Sequence, residues 1–291
     1  MIGRLAKYKD HCYRSADDRL DLYARIYDDC TDGIPILMMH GLTRNSADFE
    51  NIAEILRKNH KLIAADQRGR GRSGYDPEST NYHPAVYAED MIALLRSLDI
   101  EKAILLGTSM GGIIAMLMSA RQPDMAQALI INDVGPEVAP AGLERLQSYV
   151  GKSIQVDNWH DAADHCRQIN QIAFPEYRSA DWMAFAKRTF TTDKSGIPKL
   201  AYDMAISEGV QGEAPTAAPA DLWQNWDLLP KIPILAIRGE SSDILSPQTL
   251  ADMRRRHAGS FSSVEIPGRG HAPMLDEPKA ISTISKFLGG L

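Results

Sequence analysis

The 291-residue chain is poor in cysteine, with only Cys12, Cys30 and Cys166. Three scattered cysteines cannot build a disulfide framework, and the absence of any CxxC pair removes the usual sequence sign of a zinc site. This scarcity excludes a small disulfide-stabilised domain and favours a reducing, cytoplasmic environment.

The sequence also lacks long apolar runs and an excess of positive charge. Its longest apolar stretch, near residues 113–118, is far too short to cross a bilayer, and the N-terminal MIGRLAKYKDHCYRS has no apolar signal-peptide core. With 32 Lys and Arg against 38 Asp and Glu, the formal net charge is −6. The basic footprint of a nucleic-acid-binding protein is therefore missing, and we expect neither nucleic acid nor membrane as a partner.

Strand-like and helix-like segments alternate along most of the chain. Continuous apolar runs at 34–39, 102–107 and 126–133 are typical of strands buried on both faces, and segments such as 87–99 show apolar residues at helical spacing. The same rhythm returns with the strand-like PILAIRG at 233–239. It predicts an α/β fold with a mostly parallel sheet flanked by helices.

The alternation stops between about residues 135 and 220. This stretch shows several helical patterns and no convincing strand, and it closes with the loop-like GEAPTAAPAD. The simplest interpretation is a helical cap inserted into a sheet domain. We predict a core of residues 1–134 and 221–291 and a cap of residues 135–220.

The segment LLGTSMGG places Gly107, Ser109 and Gly111 in a G-x-S-x-G pattern between a buried strand and a helix. A turn this tight brings the backbone close to its flanks, so both neighbours must lack a side chain. The serine oxygen then stands at a helix N-terminus, where the local dipole favours negative charge. This setting predicts that Ser109 is a nucleophile; a serine in an ordinary β–α turn is the alternative.

A serine hydroxyl needs a base to activate it, and the base needs an acid to orient it. His271 lies in a glycine-containing loop between the last strand and the last helix. Asp243 follows the penultimate strand and gives the chain order Ser109, Asp243, His271. Asp133, which ends the strand after the Ser109 helix, is the alternative acid. The sequence favours Asp243 because Asp133 runs directly into the departing insertion.

The stretch DQRGRGRSG at 66–74 contains G-x-G-x-x-G, the spacing of a dinucleotide-binding loop. Such a loop needs a helix that begins at its glycines. Here the turn-rich YDPESTNYHP follows, and the next helical pattern begins only near Tyr87. We predict instead a turn near the site, in which Asp66 and Arg68 pair or bond backbone groups. No nucleotide, other cofactor or metal is predicted.

Together these features resemble the α/β-hydrolase superfamily with a helical cap, over essentially the whole chain. The resemblance rests on HG after the third strand, DxRGxGxS, GxSxG, an acid after a late strand and GxGH near the end. It implies the α/β-hydrolase fold and an oxyanion hole formed by the backbone N–H groups of Leu42, in HGLT, and Met110. Two fixed N–H donors at the site of developing charge are what acyl transfer requires.

The resemblance also narrows the reaction. A serine nucleophile disfavours haloalkane dehalogenases and epoxide hydrolases, which use aspartate there, and Met110 replaces the Trp usual in proline iminopeptidases. GTSMGG differs by one residue from the GNSMGG of carbon–carbon hydrolases of aromatic ring cleavage, which keeps that activity as an alternative. The leading interpretation is hydrolysis of a carboxylic ester or lactone through an acyl-serine intermediate. A small-molecule receptor on the same fold is the non-enzyme alternative.

The predicted cap is rich in aromatic residues. We expect Trp159, Trp182 and Phe185 to line a pocket for a small apolar or aromatic substrate. The alternative is that these side chains only pack the cap helices together. The oligomeric state stays open.

Overall fold

The computed structural model describes residues 7–30, 33–192, 194–209 and 222–291. Its centre is an eight-stranded sheet. The strands of the described chain are β1 (Lys9–Arg14), β2 (Asp21–Tyr27), β3 (Ile36–Met39), β4 (Leu62–Asp66), β5 (Ala103–Thr108), β6 (Ala126–Asn132), β7 (Phe190–Thr192), β8 (Pro198–Leu200), β9 (Ile234–Gly239) and β10 (Phe261–Ile266). The central sheet has the order β1-β2-β4-β3-β5-β6-β9-β10. Only the β1–β2 and β2–β4 pairs are antiparallel within it.

Helices pack on both faces of this sheet, and two further helices between β6 and β7 pack against each other instead. The helices of the described chain are α1 (Glu50–Leu56), α2 (Pro84–Ser97), α3 (Met110–Arg121), α4 (Pro140–Tyr149), α5 (Trp159–Asn170), α6 (Ser179–Thr189), α7 (Leu222–Asp227), α8 (Pro247–Arg256) and α9 (Pro278–Leu288). Alternate residues of a strand point to opposite faces. Leu37 and Met39 therefore pack with α2 and α3, whereas Ile36 and Met38 pack with α1 and α9. The predicted α/β architecture with a mostly parallel sheet is confirmed.

The part of the chain between β6 and residue 209, which we call the insert, contributes no strand to the central sheet among its described residues. It contains helices α4, α5 and α6. Most of its aromatic side chains form a separate apolar cluster, whereas Tyr149 and Tyr202 pack with the core of the sheet domain. The insert also contains the β7–β8 hairpin, so the expectation of no strand here was wrong. Strands of three residues are too short to show a period-2 pattern in sequence.

The predicted end of the cap lies outside the described residues, as does GEAPTAAPAD (212–221). The division into a core and a 135–220 cap therefore stays a prediction. None of the described helices combines the length and apolarity that crossing a bilayer requires.

Candidate active site

Ser109 occupies the sharp turn between β5 and α3. Its backbone has φ 53° and ψ −120°, a left-handed conformation that a residue with a side chain rarely adopts. A Cβ added to Gly107 would lie 2.1 Å from the Gly111 carbonyl oxygen, and one added to Gly111 would lie 2.0 Å from the Met39 carbonyl oxygen. Both flanking positions are thus closed to any residue but glycine, as the G-x-S-x-G pattern predicts.

Ser109, His271 and Asp133 form one hydrogen-bonded row. The Ser109 Oγ lies 2.8 Å from His271 Nε2, and His271 Nδ1 lies 2.9 Å from Asp133 Oδ2. An ionised carboxylate only accepts hydrogen bonds, so its neighbour Nδ1 carries the proton and Nε2 is free to accept the serine hydroxyl. This is the arrangement of a nucleophile with a general base.

Asp133 is held in place from several sides. It lies directly after β6 with φ 60°, it is fully buried, and its N–H donates to the Ile237 carbonyl of β9 at 2.7 Å. Its Oδ1 accepts the Gly239 N–H at 2.8 Å, which leaves Oδ2 for His271. The neighbouring Asn132 donates to the Pro273 carbonyl at 2.8 Å and so ties the histidine loop to the same strand end.

The sequence favours Asp243 as the partner of His271, but in the structure Asp133 is the carboxylate that bonds the imidazole. Asp243 instead accepts two hydrogen bonds from Arg145 of α4, at 2.5 Å and 3.0 Å. Burial raises the pKa of Asp243, but the hydrogen bond and charge of Arg145 outweigh it, so the pKa lies below its ordinary value. Arg145 belongs to the insert, and the spacing of residues in the sequence could not predict that this helix would lie beside the end of β9.

The two residues predicted to form the oxyanion hole are close to the nucleophile along the chain or in space: Met110 directly follows Ser109, and Leu42 follows Gly41, at which an added Cβ would lie 3.6 Å from the Ser109 Cβ. Leu42 belongs to the loop after β3, and Met110 is the first residue of α3. Neither N–H donates to another group within the described chain. The first N–H groups of a helix have no partner within the helix, which accounts for Met110; the oxyanion hole itself stays a prediction.

His40 supports the Leu42 loop, a role that the sequence did not suggest. The Gln67 N–H donates to His40 Nε2 at 3.0 Å, so the proton is on Nδ1, which donates to the Gly41 carbonyl at 2.7 Å. Complete burial lowers the pKa of His40 to about 3, and the imidazole is neutral. The position of His40 in the sequence, between a strand and a glycine, is the feature that could have indicated this supporting role.

The 66–74 loop is a turn packed under the site. Asp66 bonds backbone groups, accepting from the N–H of Ser46 at 2.6 Å and of Arg72 at 2.8 Å. Arg68 does not pair with it; this buried guanidinium bonds Asp90 and Asp76, each at 2.7 Å. The next α-helix, α2, begins only at Pro84.

A pocket opens over Ser109 and His271. Its apolar wall includes Leu42, Leu146, Ile169, Phe174, Phe185 and Met274. Of the three predicted pocket residues only Phe185 lines it, so the placement of Trp159 and Trp182 was wrong. Trp182 is buried against Phe174 and Tyr177 inside the insert, and Trp159 packs under Lys187. Packing between insert helices accounts for both.

The same pocket contains an ion pair that sequence analysis missed. Arg44 donates to Asp48 through Nε, at 2.7 Å, and through one terminal nitrogen. Its other terminal nitrogen donates to the Thr189 hydroxyl of α6, and the guanidinium lies 4.0 Å from the centre of the Phe185 ring. It thus joins the Leu42 loop to the insert. No group of three or more metal-binding side chains occurs within residues 7–30, 33–192, 194–209 and 222–291.

Comparison with known proteins adds independent information. A model described as "Alpha/beta hydrolase family" matches residues 36–283. The chain is 32% identical to the 3-hydroxybutyrate-oligomer hydrolase of Cupriavidus necator over 88% of both chains, and 29% identical to the 2-(acetamidomethylene)succinate hydrolase of Mesorhizobium japonicum over 81% of both. A crystal structure of an alpha/beta hydrolase from Novosphingobium aromaticivorans superposes with a TM-score of 0.91 at 38% identity, covering 99% of this chain and 100% of that one.

Proposed function

Since the chain belongs to the alpha/beta hydrolase family and is a hydrolase, we propose that it cleaves a carboxylic ester or lactone through an acyl-serine intermediate. One observation carries the proposal: the continuous hydrogen-bonded row from Ser109 through His271 to Asp133. Such a row serves a reaction in which a hydroxyl must lose its proton as it attacks.

The reaction follows from the positions of the protons. His271 Nε2 takes the Ser109 hydroxyl proton while Oγ attacks the acyl carbon, and the N–H groups of Leu42 and Met110 receive the carbonyl oxygen as it becomes negative. Asp133 keeps the Nδ1 proton in place and stabilises the imidazolium. His271 then protonates the leaving alcohol. In the second half of the reaction water attacks the acyl carbon and gives a proton to His271, which passes it to Ser109 Oγ as the ester bond to the enzyme breaks and the acid is released.

The pocket supports a small substrate with an apolar or aromatic part. Its walls combine apolar side chains such as Phe174 and Phe185 with the ion pair of Arg44 and Asp48. The names of the two relatives, a 3-hydroxybutyrate-oligomer hydrolase and a 2-(acetamidomethylene)succinate hydrolase, are compatible with a small acyl substrate. We further propose that residues 135–220 act as a cap over this pocket and that the protein is cytoplasmic.

Turnover of p-nitrophenyl butyrate by wild type, Ser109→Ala and Ser119→Ala tests the proposal. Ser119 is a matched control, because its buried hydroxyl lies on the same helix α3 and has no hydrogen-bond partner among the described residues. We expect wild type and Ser119→Ala to turn over alike and Ser109→Ala to be inactive. Ligand binding with negligible turnover would instead support a receptor, and faster cleavage of a ring-cleavage product than of esters would support a carbon–carbon hydrolase.

A further inference from the structure

We infer that Arg70, the middle arginine of DQRGRGRSG, is a positioning residue that fixes the oxyanion-hole N–H of Leu42 and contacts the side chain of Met110, the other residue of the hole. The inference rests on the proposed function, because it presupposes that the N–H groups of these two residues receive a developing oxyanion. It gives the 66–74 loop a role in the chemistry rather than in binding a nucleotide.

A single buried guanidinium contacts both residues of the hole. Arg70 is fully buried, and its Nε donates to the Leu42 carbonyl oxygen at 2.9 Å. One terminal nitrogen lies 3.9 Å from the Met110 sulfur, a weak acceptor, and the other bonds the Arg68 carbonyl at 2.8 Å and the Tyr87 hydroxyl at 2.7 Å. The planar fork is therefore locked between the β3 loop, the start of α3 and helix α2.

These contacts fix the direction of the Leu42 N–H. That N–H belongs to the peptide unit whose oxygen, on Gly41, is held by His40. The next peptide unit has its oxygen, on Leu42, held by Arg70. Peptide units are planar, so holding the units on both sides of one Cα leaves the φ and ψ of Leu42 little freedom. A donor that needs no reorganisation during the reaction contributes most to its rate.

The charge of Arg70 favours the same role. Within the described chain its partners are carbonyl oxygens, a phenol and a thioether, and no carboxylate lies within ion-pair distance. Arg68, equally buried in the same loop, is by contrast neutralised by Asp76 and Asp90. An unneutralised cation in a low-dielectric interior acts strongly on a negative charge forming nearby.

The test compares Arg70→Met, which keeps the side-chain volume and loses charge and donors, with Arg70→Lys and the control Arg68→Lys. Steady-state kinetics on p-nitrophenyl butyrate give kcat and KM, and the inhibition constant of an alkyl trifluoromethyl ketone reports affinity for a tetrahedral oxyanion. For Arg70→Met we expect kcat to fall about tenfold or more, the ketone to bind more weakly by a similar factor, and KM to change less than about threefold. Arg70→Lys keeps the charge but cannot donate to all the acceptors of Arg70. We expect its kcat and ketone affinity to lie between those of wild type and Arg70→Met.

The control separates this role from loss of packing. Arg68→Lys should lower the thermal midpoint while the ratio of ketone affinity to KM stays as in wild type. A folded Arg70→Met whose kcat and ketone affinity stay within twofold of wild type would overturn the inference, and so would a variant in which KM rises while kcat and ketone affinity are unchanged. If Arg70→Met does not fold, the same wild-type values in Arg70→Lys would overturn it. Wild-type turnover by Ser109→Ala would overturn the proposed function itself.

Discussion

Replacing Asp133 by Asn should nearly abolish turnover while leaving the fold intact. The carboxylate uses one oxygen for the Gly239 N–H and the other for His271 Nδ1. An amide has only one oxygen; if it stays on the Gly239 N–H, the NH2 group faces Nδ1. The imidazole must then carry its proton on Nε2, where it can no longer accept the Ser109 hydroxyl proton. We expect kcat to fall on the order of ten-thousandfold, the cost of the wrong tautomer.

Asp243→Asn is the matched control for this change. Asp243 follows the neighbouring strand β9, but its carboxylate is held by Arg145, and both side chains are partly exposed. Removing a partly solvated ion pair costs about 1 kcal/mol or less in unfolding free energy. We expect kcat to stay within a few-fold of wild type, because the His271–Asp133 bond is untouched.

The assay is the burst and steady-state release of p-nitrophenol from p-nitrophenyl butyrate, with both variants matched to wild type by circular dichroism and thermal midpoint. Near-equal kcat values for Asp133→Asn and wild type would refute the argument from the tautomer. A large loss in folded Asp243→Asn with little loss in Asp133→Asn would move the acid to β9.

Two further predictions concern the pocket and the Leu42 loop. Phe185→Ala should raise KM for p-nitrophenyl butyrate several-fold, whereas Trp159→Ala should leave kcat/KM within about twofold, because only Phe185 lines the pocket; equal effects in steady-state kinetics would contradict this assignment. Burial lowers the pKa of His40 to about 3 in the folded chain, against about 6.5 in the unfolded chain. Between these values the unfolded chain binds a proton at His40 and the folded chain does not, so the stability present above pH 6.5 is lost as pH falls. The thermal midpoint should therefore fall less steeply from pH 6.5 to pH 4 in His40→Asn than in wild type, and parallel curves would contradict it.

The strands of the central sheet, and Ser109 and His271 of the hydrogen-bonded row, could be predicted from the sequence because local sequence features determine them. Ser109 needs glycines at 107 and 111, and His271 follows the last strand of a parallel sheet. The carboxyl ends of parallel strands lie at one edge, which brings such residues together whatever the intervening sequence. The fold class followed from the same alternation.

The choice between two aspartates could not be read in this way. Asp133 and Asp243 follow adjacent strands, and chain position allows either to approach the histidine loop. The decision lies in a positive φ at Asp133 and in the long-range contact of Arg145 with Asp243. Likewise Trp182 and Phe185 lie one helical turn apart on α6, and only tertiary packing determines that Phe185 reaches the pocket.

The most direct test of an acyl-serine mechanism is intact-mass and peptide mass spectrometry after reaction with a fluorophosphonate. We predict one adduct per chain, located on the peptide that contains Ser109, in wild type and Ser119→Ala, and no adduct in Ser109→Ala. Labelling that persists in folded Ser109→Ala, or an adduct on another residue of wild type, would contradict the account.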